Sequence, residues 1–346
     1  MLFKEMTDNQ RRIFIDTIQL YEAFMDTFPK SRSYAGGMHW KKSKGREYLF
    51  RTKDRYGYGK SLGVRSSETE KILKEFRQTK KELNQRMALF KARLKEQARF
   101  CKAAMIQRVP RIVTNILRLL DQQKLLGKNI MVIGTDALYA YEASAAVFFD
   151  SPMMATRDMD ILWDIRPKLT LVADDKIEPE GLMGIIRKSD RSFELSGSRS
   201  FQAVNRDGYM IDLIKAAPKK IMPEERLRMG GPGDLEAVEI KNLQWLLSSP
   251  KFSQIVIGDD GYPSAMVVPD PRAFSLHKIW LSGQLDREPT KKQRDRNQAL
   301  AVAQLVIKYL PQYAFRKPEL KMFPKELLVE AQAQISQIEG VPGFEF

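Results

Sequence analysis

Asp158 and Asp160 stand two residues apart in Arg157-Asp-Met-Asp-Ile-Leu-Trp163, and a third acid, Asp212, lies in Tyr209-Met-Ile-Asp-Leu-Ile214. Side chains alternate along a strand, so Asp158 and Asp160 share one face while Met159 and Ile161 point into a core. If the Asp212 strand pairs alongside, three carboxylates converge. Two such charges about 4 Å apart repel by roughly 4 kcal/mol at an effective dielectric near 20. Divalent cations relieve that repulsion, and an all-oxygen donor set favours Mg2+ or Mn2+. A pair of metals held this way activates an attacking oxygen and stabilises a leaving pyrophosphate. The alternatives are local: a solvated edge-strand pair for Asp158 and Asp160, and an ion pair with Arg206 or Lys215 for Asp212.

The elements around these acids set the fold expectation. Ile130-Met-Val-Ile133 is a short apolar strand, followed by Gly134-Thr135 and a helix over 136–149. Glycine at 134 permits close backbone approach to an anion. Thr135 offers a hydroxyl at a helix N-terminus, where free N–H groups favour negative charge. Asp136 and Glu142 are placed on that helix. A loop over 150–156 leads to the Asp158–Trp163 strand. Phe201–Val204 and Tyr209–Ile214 form a hairpin around Asn205-Arg-Asp-Gly208. A second hairpin joins 255–257 to 266–268, and helices follow over 271–281 and 291–309. The expected class is α+β, with a small mixed sheet between helical flanks.

Ahead of residue 128 the chain has a different character. Residues 9–29 form an amphipathic helix. Residues 38–63 read as a β-ribbon in which Trp40, Tyr48, Phe50, Tyr56 and Tyr58 alternate with Lys41, Lys42, Lys44, Arg46, Arg51, Arg55 and Lys60. Such a mixture can stack bases and neutralise phosphates, although each aromatic can also serve the ribbon's own core. Ser67-Glu-Thr-Glu70 reads as a capping box opening a long helix, and Gly127 ends the next helix as a C-cap. Of the +15 net charge, residues 1–126 supply more than the whole, with 29 lysines and arginines against 13 acids. That asymmetry suggests a polyanion partner.

Composition narrows the class further. One cysteine, Cys101, rules out an intrachain disulfide, and two histidines make a classical zinc site a poor fit. No apolar run reaches the 18 or so residues of a membrane span, so the expectation is a cytoplasmic protein without membrane partners.

The order strand, Gly-Thr turn, helix, Asp-x-Asp strand and later Asp strand resembles the DNA polymerase β-like nucleotidyltransferase superfamily. The segment Pro271-Arg-Ala-Phe-Ser-Leu-His-Lys278, then Arg287, Lys292-Gln-Arg-Asp295 and Gln298-Ala299, resembles the C-terminal helices of abortive-infection and tRNA-modifying toxin nucleotidyltransferases. The stretch from Thr135 to Asp158 is longer than those families usually have. The resemblance implies a nucleotidyltransferase palm over 128–220, a basic module over 1–127 and a mainly helical nucleotide-closing module over 221–346. It implies catalysis and metal binding by Asp158, Asp160 and Asp212. Nucleotide contacts fall to Gly134, Thr135, Lys278 and Asp295. The expected reaction takes a nucleoside triphosphate (NTP) and an RNA or tRNA acceptor. A protein hydroxyl or a small molecule is an alternative acceptor, and a nucleic-acid-binding regulator on an inactive palm is an alternative role. The toxin resemblance also admits an antitoxin partner.

Overall fold

The expected acidic strands are adjacent and parallel. In the computed structural model, which describes residues 3–52, 57–167, 181–197, 199–218, 227–338, 341 and 345–346, the elements run in the following order. The chain opens with β1 (Phe3–Glu5), α1 (Asp8–Ser33), β2 (Met38–Ser43), β3 (Arg46–Thr52), β4 (Gly59–Val64) and α2 (Ser67–Ala103). It continues with α3 (Arg111–Gln122), β5 (Ile130–Ile133), α4 (Ala137–Ala145), β6 (Val147–Phe149), α5 (Ser151–Met154), β7 (Asp158–Trp163) and α6 (Gly181–Ser189). Next come β8 (Glu194–Ser196), β9 (Arg199–Val204), β10 (Met210–Ala216), β11 (Val238–Ile240), α7 (Gln244–Ser248), β12 (Lys251–Ile257) and β13 (Pro263–Pro269). Then follow α8 (Pro271–Ser282), α9 (Pro289–Tyr309), two short 3-10 turns (Pro311–Tyr313 and Lys317–Glu319) and α10 (Lys325–Ile335). The class is α+β, as expected.

Two compact units emerge, Arg12–Ile106 and the combination of Met1–Arg11 with Gln107–Phe346. In the larger unit, a mixed sheet runs β5-β7-β10-β9-β8. β7 is antiparallel to β5 and parallel to β10. β9 pairs with the first half of β10, and β11 pairs with the second half. The inward residues Met159, Ile161, Ile211 and Leu213 are fully buried. This apolar half of each strand supplies the burial that holds the polar half in register.

Several local expectations shift. The last residues of the expected 136–149 helix are instead β6, paired antiparallel with β1 through Phe3↔Phe149. Ala146 closes α4 in the left-handed region (φ 51°), which stops the helix and turns the chain into the strand. Together β6 and α5 account for the long stretch before Asp158. α3 ends at a Gln123 C-cap, and Gly127 (φ 76°) serves a later turn.

In the smaller unit, β2, β3 and β4 form an antiparallel sheet. Lys44 (φ 46°) and Gly45 (φ 74°) make the two-residue turn between β2 and β3, as a type I′ hairpin requires. Met38, Leu49, Leu73 and Phe76 form the core, with Trp40 and Leu62 packed on it, so Trp40 serves the ribbon's interior. Cys101 is buried against the Thr17 hydroxyl at 3.2 Å. The cap of α2 lies one residue earlier than the Ser67-Glu-Thr-Glu70 pattern suggests. Ser66 Oγ accepts from the Thr69 backbone N–H at 3.3 Å, and Thr69 Oγ1 accepts from the Ser66 N–H at 2.8 Å. Among the described residues no helix is long and apolar enough to cross a membrane.

The cap register is directly measurable. Ser66→Ala should lower unfolding stability by about 1 kcal/mol, while Ser67→Ala should change it by less than about 0.5 kcal/mol. Urea denaturation followed by circular dichroism distinguishes the two, and equal effects would contradict the assigned cap.

Candidate active site

The β7–β10 ladder brings the three expected acids together. Asp160 and Asp212 are direct partners across the parallel pair, with Asp158 opposite Met210 one step along. Neighbouring strands lie about 4.8 Å apart, so the carboxylates start from adjacent backbones on one face. The neighbours considered for Asp212 lie elsewhere: Lys215 is buried and paired with Glu239 at 3.0 Å, and Arg206 lies near Asp207. Asp212 instead accepts from Gln202 Nε2 at 2.8 Å, a residue of β9 that sequence reasoning missed. Thr156 Oγ1 donates to Asp158 Oδ1.

Burial and like charge act together here. Desolvation, with Asp158 and Asp212 adding to it, pushes the Asp160 carboxyl up to about 7 against the opposing pull of Lys278 and Arg287. Burial raises Asp212 as well, with the Gln202 hydrogen bond opposing.

Gly134 adjoins this carboxylate directly. Its φ is +70°, and a Cβ built there would lie 2.2 Å from Asp160 Oδ2. A side chain at 134 would therefore displace the acid, which gives the glycine a role beyond backbone approach to an anion. Thr135 is buried, and its hydroxyl accepts from Gln298 Nε2 at 3.2 Å. Gln298 also donates to the Met153 carbonyl at 3.0 Å, so α9 braces both the Gly-Thr turn and α5.

The second cluster comes from α8, α9 and the segment between them. Lys278 Nζ donates to Asp295 Oδ1 at 2.6 Å, and Arg287 Nε donates to Asp295 Oδ2 at 2.9 Å. Lys278 and Asp295 are buried, whereas the Arg287 side chain is 30% exposed. Burial lowers the Lys278 ammonium, with Asp295 as the main opposing influence and Asp160 a further one. Arg287 lies in the resembling segment between Lys278 and Asp295, yet the sequence reading gave it no role. His277 is buried and held near 3, hence neutral at ordinary pH, chiefly by desolvation.

Asp136 is the main residue that sequence reasoning left aside. Both its carboxylate oxygens are buried and lack a hydrogen-bond partner among the described residues. Burial raises its carboxyl well above the usual range, and Asp160 and Asp158 add to the shift. Tyr209 is the neighbour that opposes it, although among the described residues the buried Tyr209 hydroxyl has no partner at hydrogen-bond geometry. Nothing local in the sequence distinguishes Asp136 from an ordinary first-turn acid.

These residues fit an oxygen-seeking divalent cation. The donors are carboxylates, burial and like charge at Asp160 outweigh the pull of Lys278 and Arg287, and the Asp136 oxygens have unmet acceptor capacity among the described residues. With Asp158 turned to Thr156 and Asp212 to Gln202, no group of three His, Cys, Asp or Glu side chains among the described residues stands as a ready chelating set. Cation binding would exchange those partners for the metal.

The expected nucleic-acid contacts distribute unevenly over the ribbon. Lys41, Lys42, Lys44, Arg46 and Lys60 are exposed. Arg51 is half-buried: it donates to the Ser33 carbonyl and its guanidinium lies over the Tyr34 and Phe76 rings. Arg55 and Tyr56 lie outside the described residues.

The raised Asp160 carboxyl has a pH signature. The folded state keeps a proton that the unfolded chain releases near pH 4, so this contribution is complete below about 4 and is lost as pH rises through about 7. In EDTA, the melting temperature of Asp160→Asn minus that of the parent protein should therefore grow between pH 5 and 8. A constant difference across that range would contradict the buried, unrelieved carboxylate.

Comparison with known families agrees with this geometry. A nucleotidyltransferase family model matches residues 111–322, which contain every residue of both clusters. No curated protein and no solved structure matches the chain. The match covers more than half of the sequence, and the chain belongs to this nucleotidyltransferase family.

Proposed function

We infer that this nucleotidyltransferase moves a nucleoside monophosphate from an NTP to RNA, with tRNA the leading acceptor, in a reaction that depends on a divalent cation. The observation carrying this reading is the Asp160↔Asp212 register, which joins Asp158, Asp160 and Asp212 on one face beside the Lys278–Asp295–Arg287 network. An acceptor hydroxyl attacks the α-phosphorus, the bond from that phosphorus to the bridging oxygen breaks, and pyrophosphate leaves with the electron pair. Asp212 orients the hydroxyl and takes its proton, a role suited to a carboxylate whose basicity is raised by burial. Bound by the three acids, Mg2+ or Mn2+ would supply neutralisation of the triphosphate charge. Lys278 and Arg287, both held on Asp295, add fixed positive charge toward the same region. Gly134, Thr135 and Gln298 keep the turn beside Asp160 rigid.

In functional terms, residues 128–220 form the palm and 221–346 present Lys278 and Asp295 to the nucleotide. The basic residues within 1–127 serve the acceptor. Charge favours RNA over a small neutral acceptor, since Arg12–Ile106 alone holds 23 lysines and arginines against 10 acids.

Incubation with α-labelled NTPs, Mg2+ and a cell lysate should place label in RNA. Asp160→Ala should lower transfer by about 10²–10³-fold or more while leaving RNA binding unchanged. Full activity in that variant would overturn the assigned site, and label confined to protein would overturn the RNA acceptor.

A further inference from the structure

α2 is a single helix of 37 residues, and its cations are not spread evenly around it. The buried residues Leu73, Phe76, Met87, Leu94, Ala98 and Cys101 define its inner face. At 100° per residue, Lys74, Arg77, Lys81, Lys95, Arg99 and Lys102 all fall within one stripe along an edge of that face. All six are exposed. Past Glu70, no acid falls within the stripe; Glu75 and Glu82 lie on the far side of the helix, and Glu96 lies outside its edge. A cleft of about 470 Å³ follows the first half, lined by Glu70, Leu73, Lys74, Arg77, Gln78 and Lys81.

The stripe has an internal spacing. Lys74, Arg77 and Lys81 form one cluster, and Lys95, Arg99 and Lys102 form another. Between them the stripe carries Asn84, Ala88 and Ala92, which are small or neutral, while Gln85 and Lys91 lie just beyond its two edges. At 1.5 Å per residue the cluster centres lie roughly 30 Å apart. That is on the order of one turn of a nucleic-acid duplex. A membrane surface would call for large apolar residues interleaved with the cations for insertion. The exposed apolar residues Leu89 and Phe100 lie outside the stripe, roughly 100° to 120° around the helix from its midline.

We propose that α2 is a two-point rail for double-stranded RNA, with each basic cluster engaging backbone phosphates one helical turn apart. The inference rests on RNA as acceptor and adds a surface distinct from the ribbon. Recognition is by shape and charge, since the deep, narrow major groove of duplex RNA keeps side chains from its base edges and phosphate contacts carry little sequence information. The rail would serve a structured acceptor containing a stem longer than one turn and would give little purchase on short single strands.

The test uses the full chain and synthetic RNA hairpins with stems of about 6 and about 16 base pairs. Binding is measured from about 50 to 200 mM salt. The long stem should bind the parent protein more tightly than the short one. Lys74→Gln/Arg77→Gln/Lys81→Gln and Lys95→Gln/Arg99→Gln/Lys102→Gln should each reduce the log–log salt slope for the long stem by about 2 to 3. Either triple variant should also abolish the advantage of the long stem. Melting temperatures of the exposed-site variants provide the folding control, and a matched Lys41→Gln/Lys42→Gln/Lys44→Gln variant reports the ribbon separately. Unchanged slopes in both α2 variants, with the parent protein still labelling RNA, would overturn the rail and leave the RNA acceptor standing. A parent protein that neither labels nor binds RNA would overturn both. Equal loss with anionic lipid vesicles would replace RNA with a membrane surface.

Discussion

Everything at the candidate active site depends on the parallel pairing of β7 with β10 in the register that sets Asp160 beside Asp212. Two ionised carboxylates on adjacent strands repel by roughly 3 kcal/mol at an effective dielectric near 20. The buried Met159, Ile161, Ile211 and Leu213 on the opposite side of the strands offset that repulsion. Shifting one strand by a single residue would turn these apolar side chains outward and bury the acids, so the core that stabilises the sheet also fixes the charged trio. The site is therefore strained electrostatically and secure mechanically, as expected where function requires like charges to converge.

Around this constraint, the larger unit supplies two kinds of support. Gly134 leaves space that the Asp160 carboxylate occupies, and Gln298 ties the neighbouring turn to α9. Asp295 gathers Lys278 and Arg287 into one network, leaving Arg287 the more solvent-facing cation. Asp136 adds a buried carboxyl whose oxygens find no hydrogen-bond partner among the described residues. Satisfied buried polar groups are the rule, so an orphaned acid beside two others marks a place where something further belongs.

Much of this was legible in the sequence because the signals were local. A continuous apolar run revealed β5, the Asn205–Gly208 turn revealed the β9–β10 hairpin, and the Asp-x-Asp spacing in β7 placed two acids on one face. What stayed hidden depends on distant partners. Residues 147–149 read as helix, but their pairing with β1, at the far N-terminal end of the sequence, makes them a strand. Ser66 and Ser67 both begin plausible caps, and only the fold shows that Thr69 closes the box on Ser66. Asp136 looked like a helix-start acid because burial has no signature at one position. Gly134 suggested an anion-binding turn, while the carboxylate filling its side-chain space comes from a strand more than twenty residues later.

The central claim concerns chelation by three particular side chains. Its most direct measurement is a crystal structure with a non-hydrolysable NTP analogue and Mn2+, in which anomalous scattering locates the metal. The account predicts a peak about 2.0–2.3 Å from oxygens of Asp158, Asp160 and Asp212, with Gln202 and Thr156 released from the carboxylates they now hold. A metal bound elsewhere on the nucleotide, with Asp212 still on Gln202, would contradict it.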